Sequence, residues 1–594
     1  MPSPQPPATT RRLDPFLSES LPTATPANTP QHAVVIGGGV AGLATAGLLA
    51  RDGYRVTLVE RNAEVGGRAG SWSSEGFRFD TGPSWYLMPE VFDHFFAMMG
   101  SSTAAELDLE TLDPGYRVIF EKDHEAVDVH AQRAANRELF ERLEPGSGPA
   151  FDRYLASAEQ TLDLATRSFL YTNFENLSAF SSRAVIARAG SLVRLLTRSL
   201  HAFARDHFTD SRILRILGYP AVFLGSSPFR APAIYHLMSG LDLNGGVQYP
   251  RGGFTELVQA LARLADSAGV TILTETRVRE ITTESAGRKA RATGVVTERC
   301  GVTSRIEADI VVSAADLHHT ETRLLPPALQ SRPERTWKRT VPGPGTVLVF
   351  LGIRGEIPEL PHHTLLFTED WEGNFRRIDA PAPAPGDPWL PDQTSLYVCH
   401  PSASDASVAP PGHSNLFVLV PAPSDPELGG EGDAEVERIT DAAIDQIAAW
   451  AKIPDLRERI VVRRSIGPRD FERDFNAWRG TALGLAHTTA QSAFFRGKNV
   501  SSKVSGLYYA GATTVPGIGL PMCLISAELV LKRLRGDRGS APLPEPATTG
   551  ASGAVGTTNA RRSSAPHQTS EPHGATGGFG SAEPTPTPGD RGTA

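Results

Sequence analysis

The feature that most constrains this chain is a glycine-rich turn between an apolar strand and an apolar helix. Residues 33–36 (AVVI) are predicted to form a buried strand, and Gly37, Gly39 and Gly42 form G-x-G-x-x-G at the start of a helix that ends near Gly53. The first glycine permits a tight turn, the second lets main chain approach a pyrophosphate, and the third lets helix and strand pack closely. The pattern predicts a dinucleotide-binding Rossmann unit. The alternative is a glycine-rich helix start that binds nothing.

A second strand is predicted over 56–59, and Glu60 follows it. Glu60 lies about 20 residues after the first glycine, where an acidic side chain can hold a ribose hydroxyl. The N-terminus of the intervening helix offers unpaired N–H groups and the positive end of a dipole to phosphates. Arg61 is followed by a second glycine pair, which ends at Gly67, and by Arg68. This spacing is typical of flavoproteins that bind FAD. The alternative is an exposed turn with a solvated arginine.

Two later turns are predicted to complete the cofactor site. Gly82, Pro83 and Ser84 lie in FDTGPS, a turn-forming sequence at the distance expected for main chain that approaches a flavin. Gly511 and Gly519 lie in GATTVPGIGLP, whose glycines let main chain approach the flavin ring. The proline-initiated helix that follows would aim its positive end at the flavin carbonyls. The alternative is an ordinary loop and helix start.

Length, charge and cysteine content exclude several other classes. A chain of 594 residues can bury large cores and indicates two or more domains. A net charge of −8 and a pI of about 6.1 carry no nucleic-acid footprint. Cys300, Cys399 and Cys523 form no metal-binding or redox spacing, so reduced thiols in a cytoplasmic protein are expected. The N-terminus has no apolar signal-peptide core.

The predicted fold class is α/β, with a Rossmann-type, glutathione-reductase-like FAD-binding domain and an inserted α+β substrate domain. Composition predicts disorder over residues 1–30 and 536–594. Further strands of the nucleotide-binding sheet are predicted over 270–273, 294–298, 310–313 and 507–510. The discontinuous FAD-binding domain is assigned to 31–130, 245–335 and 480–535. The substrate domain, which also associates with the membrane, is assigned to 131–244 and 336–479.

Several other segments occur in a characteristic order. They are FDTGPS (79–84), LDPGYR (112–117), GSSPFRAPAIY (225–235), GVQYPRGGF (246–254), LPHHT (360–364), SLYVCHPS (395–402), PGHSNLFVLVP (411–421), DFERDFN (470–476) and ALGLAHTTAQSAFFR (482–496). With the nucleotide motif, this series resembles the bacterial phytoene desaturase family of carotenoid desaturases, within the amine-oxidase-like flavoproteins. The resemblance covers roughly residues 32–535. Each segment alone is weak, and the combination in this order is specific.

The resemblance implies an FAD-dependent oxidoreductase that introduces double bonds into phytoene or a related polyene by hydride transfer to flavin, in carotenoid biosynthesis. It also implies a quinone or oxygen as electron acceptor. The positions that match the family's FAD contacts are Gly37, Gly39, Gly42, Glu60, Arg61, Gly67, Arg68, Val278, Gly511 and Met522. The last turn departs from the family pattern, because Ile518 and Met522 stand where glycines are common. The shape of this turn beside the isoalloxazine is therefore left open.

An insoluble hydrocarbon is expected to be taken from a membrane. The segment 183–205 contains five arginines and no acidic residue. Its apolar residues that roughly follow one helical face are Val185, Leu192, Leu196, Leu200 and Phe203. A basic amphipathic helix can lie in an anionic membrane surface, which predicts a cytoplasmic protein with peripheral membrane association. The alternative is a helix of the substrate domain that packs inward.

The sequence assigns no catalytic residue. His362 and His363 suggest a metal or a base, but adjacent residues on a strand face opposite sides, so no metal site is predicted. His487 is interpreted as a hydrogen-bonded core residue rather than a base. Aromatic residues that either line a polyene tunnel or pack the core are Phe229, Tyr235 and Tyr249.

Other functions on the same layout stay open. A carotenoid ketolase, isomerase or saturase shares these motifs, and a flavin amine oxidase would add an aromatic cage near the flavin. From a different class, a non-enzymatic prenyl- or lipid-binding protein can use the same scaffold. Such proteins lose flavin contacts, whereas Gly37, Glu60 and Arg68 are present here.

Overall fold

The first sequence feature folds, as predicted, into a parallel strand–helix–strand unit. The computed structural model describes residues 30–175, 183–287 and 289–546. In it, β1 (His32–Ile36) runs parallel to β2 (Arg55–Val59), and α1 (Val40–Arg51) connects them. β1 is buried along its whole length, as expected for a central strand of a parallel sheet.

Seven more short strands form before residue 274, and strands of 2 to 11 residues follow. In chain order, the strands of the described residues continue with β3 (Ser71–Ser74), β4 (Phe77–Asp80), β5 (Leu109–Leu112), β6 (Tyr116–Phe120), β7 (Ala126–Val129), β8 (Val247–Pro250), β9 (Thr271–Leu273), β10 (Arg277–Ala286), β11 (Lys289–Arg299), β12 (Val302–Glu307), β13 (Ile310–Ser313), β14 (Gly345–Arg354), β15 (His363–Phe367), β16 (Leu396–Cys399), β17 (His413–Ala422), β18 (Ile460–Ile466), β19 (Val504–Ser505) and β20 (Leu507–Tyr509).

Helices cluster between β7 and β8 and flank the sheets elsewhere. In chain order, the helices of the described residues continue with α2 (Pro89–Met98), α3 (Thr103–Glu106), α4 (Arg133–Leu143), α5 (Gly148–Ala165), α6 (Arg183–Ala187), α7 (Ala189–Thr197), α8 (Leu200–Ala204), α9 (Ser211–Gly218), α10 (Leu237–Gly245), α11 (Phe254–Ser267), α12 (Leu317–Arg323), α13 (Glu334–Trp337), α14 (Trp371–Ile378), α15 (Ala434–Trp450), α16 (Pro468–Phe475) and α17 (Leu520–Arg535).

A five-stranded parallel sheet carries the glycine turn. Its strand order is β20-β13-β1-β2-β9, so it is assembled from distant stretches of the chain. The predicted α/β fold class with a Rossmann-type domain is confirmed. One predicted strand belongs elsewhere, because residues 294–298 lie in β11, which pairs antiparallel with β10 and β12 in a separate sheet. The sequence pattern indicates that a strand forms there, but only the long-range pairing decides which sheet contains it.

A second sheet has seven strands in the order β18-β14-β17-β16-β15-β6-β7. Its pairings are antiparallel except for the parallel pair of β15 and β6. One face packs under α15 in an aliphatic core, and the other face meets a large aromatic core. β6 and β7 come from the stretch 31–130 that we assigned to the FAD-binding domain, so that stretch contributes strands to this second sheet.

The basic segment 183–205 does not form the single amphipathic helix that we predicted. It forms α6, α7 and α8, and the chain is extended at Arg198 and Ser199. The Ser199 hydroxyl accepts a hydrogen bond from the Ala202 N–H (3.2 Å) and so starts a new helix. The break turns the apolar side chains in different directions. Val185, Leu195, Leu200 and Phe203 are buried, whereas Ile186, Val193 and Leu196 are exposed.

Residues 536–546 follow α17 and pack against it, so the described chain continues beyond the boundary predicted at residue 535. The buried Lys532 donates hydrogen bonds from Nζ to the carbonyls of Tyr171, Gly539 and Ala541. The other parts of the predicted disordered ends, residues 1–29 and 547–594, lie outside the described residues. Among the described helices, none has the length and apolar character needed to cross a membrane.

Candidate active site

A cavity of about 980 Å³ lies at the carboxyl ends of β1, β2 and β13. This edge of a parallel sheet is where open α/β folds bind their ligands. Every residue that we predicted to bind the cofactor lines the cavity except Gly42. Those lining it are Gly37, Gly39, Glu60, Arg61, Gly67, Arg68, Gly82, Pro83, Ser84, Val278, Gly511, Gly519 and Met522. The fold therefore brings four separate stretches of the chain to one place: 37–68, 82–84, Val278 and 511–522.

Gly39 and Gly42 of the first glycine turn differ in the space available for a side chain. Gly39 precedes α1 with a φ of −71°, and a Cβ added there would lie 3.8 Å from the nearest atom, the Gly66 carbonyl oxygen. A Cβ at Gly42 would lie 1.8 Å from the Gly37 carbonyl oxygen. The side of Gly39 is therefore open to a phosphate at the helix N-terminus, whereas Gly42 is required for contact between strand and helix.

Glu60 directly follows β2 and is buried beside this turn. Its Oε2 accepts a hydrogen bond from the Gly38 N–H (2.7 Å), and its Oε1 accepts one from the Asn62 N–H (2.8 Å). Each carboxylate oxygen can accept a second hydrogen bond, so capacity for a ribose hydroxyl is left. Arg61 donates from Nη1 to Asn476 Oδ1 (2.9 Å), which brings the DFERDFN segment to the same end of the cavity.

Arg68 places a buried guanidinium beside the two glycine turns. Its Nη2 donates a long hydrogen bond to the Thr481 carbonyl (3.4 Å), and its Nε has no hydrogen-bond partner among the described residues. Burial lowers the pKa of Arg68, and the nearby Asp316 opposes that shift. Buried donors are normally satisfied, so this one indicates a site for an anionic group such as a pyrophosphate.

Asp316 is a cavity residue that the sequence analysis missed. Its Oδ1 accepts hydrogen bonds from the N–H groups of His318 (2.9 Å) and His319 (3.1 Å) and caps α12. Burial raises the pKa of Asp316, and the charge of Arg68 lowers it. The residue follows the end of β13 by three positions. Its place after a predicted parallel strand was the signal that could have identified it.

The FDTGPS turn is fixed by an aspartate and a glycine. Asp80 accepts hydrogen bonds from the N–H groups of Phe254 (2.7 Å) and Thr255 (3.2 Å) at the start of α11, and burial raises its pKa to about 6. A Cβ at Gly82 would lie 2.0 Å from the Arg68 carbonyl oxygen. The turn is therefore held against the second glycine pair, along the cavity wall.

The last glycine-rich turn and the start of α17 form another wall of the cavity. Gly511 and Gly519 have φ values of +110° and +120°, which side chains disfavour. α17 begins at Leu520, so its positive N-terminal end lies at the cavity. Ile518, where glycine is common in the family resembled, is buried.

His487 is buried beside this turn. Its Nδ1 lies 3.1 Å from the Leu224 carbonyl oxygen, which only accepts, so Nδ1 carries the proton and Nε2 keeps a lone pair. A Cβ at Gly517 would lie 2.4 Å from that Nε2, and both residues line the cavity. Burial lowers the pKa of His487 well below its usual value, and the charge of Arg496 adds to the effect. The imidazole is therefore a neutral hydrogen-bond acceptor at the cavity.

The remainder of the cavity is mostly apolar. Its aromatic and aliphatic wall includes Trp85, Tyr219, Phe223, Leu348, Leu365, Trp371, Phe375 and Tyr397. Of the three aromatic residues considered from the sequence, Tyr235 lines the cavity. Phe229 instead packs against Trp371 with ring centroids 5.9 Å apart, and Tyr249 donates a hydrogen bond to Asp405 (3.1 Å).

The apolar part of the cavity reaches the protein surface near α7 and residues 493–495. Four apolar residues both line the cavity and are exposed to solvent. They are Val193 (60% exposed), Leu196 (42%), Phe494 (43%) and Phe495 (68%). An apolar route therefore connects the surface with the glycine-lined end.

His362 and His363 do not face opposite sides, contrary to our reasoning from strand alternation. β15 begins at His363, so His362 precedes the strand and the alternation does not apply to it. The two imidazole centroids lie 4.5 Å apart in a buried group with Cys399.

The geometry defines a class of protein. One end of the cavity suits the ribose and diphosphate of a dinucleotide, because it has two glycine turns, the N-terminus of α1, the Glu60 carboxylate and a buried guanidinium with an unsatisfied donor. The adjoining apolar cavity suits a large aromatic ring and an apolar substrate. The residues present therefore fit FAD, and the chain is a flavoprotein oxidoreductase.

Comparison with known proteins identifies the family. Residues 40–530 match the flavin containing amine oxidoreductases, and the chain belongs to this family. It is 40% identical over 499 residues to a carotenoid 3,4-desaturase of Haloarcula japonica, covering 84% of this chain and 97% of that protein. It is 35% identical over 503 residues to a zeta-carotene-forming phytoene desaturase of Myxococcus xanthus, covering 84% and 93%.

The fold is also found in a solved structure of an oxidoreductase from Methanosarcina mazei. The two structures align with a TM-score of 0.54 over 84% of this chain and 100% of that chain. The sequence identity is 16%, so this likeness concerns the fold alone.

Proposed function

We propose that this chain is a carotenoid desaturase that converts C–C single bonds of a polyene hydrocarbon into double bonds with FAD. The observation that carries the proposal is one cavity in which the dinucleotide turns adjoin an apolar, aromatic-lined channel that reaches the surface. A hydrocarbon offers no charge or polar group, so apolar walls of matching shape are the means of binding it. The names of the two desaturase relatives support the same activity.

The cofactor is assigned to the glycine-lined end. The N-terminus of α1 at Gly39 and the Arg68 guanidinium would hold the pyrophosphate, and Glu60 would hold the ribose of the adenosine. The turn around Gly511 and the first turn of α17, which contains Met522, would lie beside the flavin. When bound, FAD supplies the redox chemistry, since it accepts two electrons and a hydrogen from a carbon centre.

The protein's own work is mainly positioning. The aromatic and aliphatic walls hold the extended substrate in one orientation and exclude water, which lowers the entropic part of the barrier. Removal of a hydrogen with its electron pair, the chemistry that FAD would supply, leaves an allylic cation whose neighbouring carbon releases a proton. His487 accepts this proton at Nε2. Its low pKa is no obstacle, because a carbon acid next to an allylic cation is far stronger than an imidazolium ion.

Each desaturation removes two electrons and two hydrogens from the substrate, and the final acceptor is a quinone or oxygen. With oxygen, one hydrogen peroxide forms for each double bond. With a quinone, product forms without oxygen. Product formation in sealed anaerobic samples, with and without added quinone, distinguishes the two acceptors. Failure of both acceptors to support turnover would contradict this assignment.

The apolar mouth of the cavity is proposed to dock on a membrane surface and take up substrate there. Val193, Leu196 and Phe495 are exposed apolar side chains. The segment that contains the first two also carries the exposed Arg188 and Arg194, of which Arg194 is paired with Asp206 (2.8 Å). Exposed apolar groups beside cations are the combination that anionic interfaces bind. Docking in this way would bring the entrance of the apolar route to the membrane in which the substrate dissolves.

Flotation with anionic liposomes tests the docking surface. Wild-type protein is expected to float with the vesicles, and Val193→Asp with Phe495→Asp is expected to abolish flotation. The matched control is Val302→Asp, since Val302 is 66% exposed on β12 and does not line the cavity. Equal flotation of the two variants, or wild-type protein that stays at the bottom at every salt concentration, would contradict the proposal.

Expression in a host that accumulates phytoene tests the reaction. Chromatography is expected to show phytoene converted to more unsaturated, coloured products. Because one relative is named a carotenoid 3,4-desaturase, a second host that accumulates a coloured carotenoid tests 3,4-desaturation. Flavin-loaded protein that leaves both substrates unchanged would refute the desaturase assignment.

A further inference from the structure

We propose that His362, His363 and Cys399 bind one thiophilic metal ion, Zn²⁺ or Cu⁺, behind the cavity wall. One ligand atom from each of the three side chains lies within 4.8 Å of the others. The residues are almost inaccessible, with exposed fractions of 4%, 0% and 2%. Two imidazoles and a thiolate form a donor set that these ions prefer, whereas Mg²⁺ and Ca²⁺ prefer oxygen. This inference is independent of the substrate.

The pairing of β15 with β16 builds most of the site. His363 and Cys399 are direct partners in this antiparallel pair, so their side chains share one face of the sheet. His362 stands just before β15, and its carbonyl accepts a hydrogen bond from the His400 N–H (2.7 Å). This irregular start of the strand brings the second imidazole next to the first, with ring centroids 4.5 Å apart.

Both imidazoles are oriented through one nitrogen and leave the other without a partner. His362 Nδ1 lies 2.6 Å from Ser404 Oγ, and His363 Nδ1 lies 2.8 Å from the Tyr397 hydroxyl. Both Nε2 atoms are buried, and neither has a hydrogen-bond partner among the described residues. Metal-binding histidines show this arrangement, because the hydrogen bond at one nitrogen orients the ring for the metal at the other.

A carboxylate lies close to the three side chains. Tyr249 packs on His362 with ring centroids 4.5 Å apart and donates a hydrogen bond to Asp405 (3.1 Å). Metal binding releases the Cys399 thiol proton to solvent as the metal–sulfur bond forms, and the neutral imidazoles donate their lone pairs. The nearby carboxylate offsets part of the added charge.

The ion would support the cavity wall without touching the substrate. The Tyr397 hydroxyl contacts His363 on one side and Ser84 Oγ (2.8 Å) on the other. Trp85 stacks on His363 with ring centroids 5.0 Å apart. Ser84, Trp85 and Tyr397 all line the cavity. Metal binding therefore joins β15 and β16 to the FDTGPS turn.

Metal analysis of the FAD-loaded protein tests the proposal. Separate samples receive Zn²⁺, Cu⁺ under anaerobic reductant, or Mg²⁺, and are desalted before mass spectrometric analysis. We expect about one Zn²⁺ or Cu⁺ per chain and no Mg²⁺. A competition between the first two ions shows which binds more tightly. X-ray absorption of the zinc form should show one sulfur at about 2.3 Å and nitrogens at about 2.0–2.1 Å.

Two variants separate this site from adventitious binding. Cys399→Ser is expected to lose the ion, whereas Cys300→Ser, which removes an exposed thiol, should keep it. Ser404→Ala retains all three ligands and is expected to weaken affinity about 10- to 100-fold, because it frees the His362 ring. If Cys399→Ser fails to fold, the metal affinity of Ser404→Ala tests the proposal instead. The proposal is overturned if neither ion binds to wild type, if Cys399→Ser or Ser404→Ala binds like wild type, or if the metal has only oxygen and nitrogen neighbours.

Discussion

The two ends of the cavity recognise their ligands by different means. At the dinucleotide end, main-chain N–H groups, glycine positions and a few fixed charges act, and residues 33–68 supply most of them. At the apolar end, side chains from α14, β14, β15 and β16 meet although they are far apart in the chain. A charged cofactor needs defined donors at defined points, whereas a hydrocarbon needs only apolar surface and volume. The first requirement leaves a local sequence motif, and the second does not.

The largest expected effect of a single methyl group is at the dinucleotide end. Gly39→Ala should fold normally, because its φ of −71° suits alanine and 3.8 Å is ordinary contact distance. The methyl group occupies the space assigned to the pyrophosphate, so FAD affinity should fall about 100-fold, or about 2.8 kcal/mol. Flavin titration and thermal unfolding of the cofactor-free protein measure the two quantities.

Gly42→Ala is the matched control for that experiment. Its Cβ would lie 1.8 Å from the Gly37 carbonyl oxygen, so it should destabilise the protein with or without FAD. If Gly39→Ala keeps its flavin, or if Gly42→Ala is as stable as wild type, the division between open and packed glycines is wrong.

His487 lies where the two ends meet, and its loss should separate chemistry from binding. His487→Leu is expected to lower kcat about 100-fold or more while FAD binding is retained, because the proton acceptor is lost. His487→Gln can still donate a hydrogen bond to the Leu224 carbonyl but has no basic nitrogen. Steady-state kinetics with measured flavin content compares the variants. Recovery of activity in His487→Gln would show that the imidazole is only structural.

A change at the apolar end should alter substrate use without altering the cofactor. Phe375→Leu reduces the aromatic wall, and we expect kcat/KM to fall about tenfold, since small apolar changes in a pocket have effects of this order. FAD affinity should not change. Kinetics on solubilised substrate and flavin titration test this separation. A parallel loss of flavin would show that the two ends are not independent.

The smallest expected effect concerns pH. The buried Asp242 accepts hydrogen bonds at Oδ2 from the hydroxyls of Tyr116 (3.1 Å) and Tyr219 (3.0 Å), and Tyr219 lines the apolar end. Burial raises the pKa of Asp242 from 3.8 to about 7. Between those values the folded state holds a proton that the unfolded state has released, so the stability contributed by this group falls as pH rises.

Asp242→Asn removes this titration. The melting temperature of wild type should therefore fall by about 2–4 °C more than that of the variant between pH 5 and pH 8. Scanning calorimetry across that range measures the difference. Identical pH slopes would show that the carboxyl does not titrate in the folded protein over this range.

Local signals explain the parts of the fold that sequence reasoning predicted. β1, α1 and β2 form within one or two residues of the predicted bounds, because apolar runs, glycines and the spacing of the acid act within a short stretch. The prediction of a single helix over 183–205 was wrong, because contacts with distant residues decide where a helix ends. There, a bridge between Ser199 and Pro232 interrupts the helix.

The same distinction applies to the candidate site. Glu60 and Arg68 were predicted from spacing alone, and both line the cavity. Asp316 was missed because its importance comes from its position beside Arg68, which lies far away in sequence. The metal site proposed at His362, His363 and Cys399 was not predicted, because the sequence reasoning considered one strand alone and Cys399 lies on the neighbouring strand β16.

Residues 33–68 alone predict a dinucleotide-binding unit, its fit to FAD and the glycines that must stay small. Those properties depend on φ angles, close contacts and dipoles within a few residues, so a short motif is enough to predict them. The folded chain is needed to learn which sheet contains each later strand, where the apolar channel opens and which buried polar groups meet. Those outcomes depend on packing between distant segments. Many apolar sequences can be buried equally well, so the strand pairing in the folded chain decides which segments become neighbours.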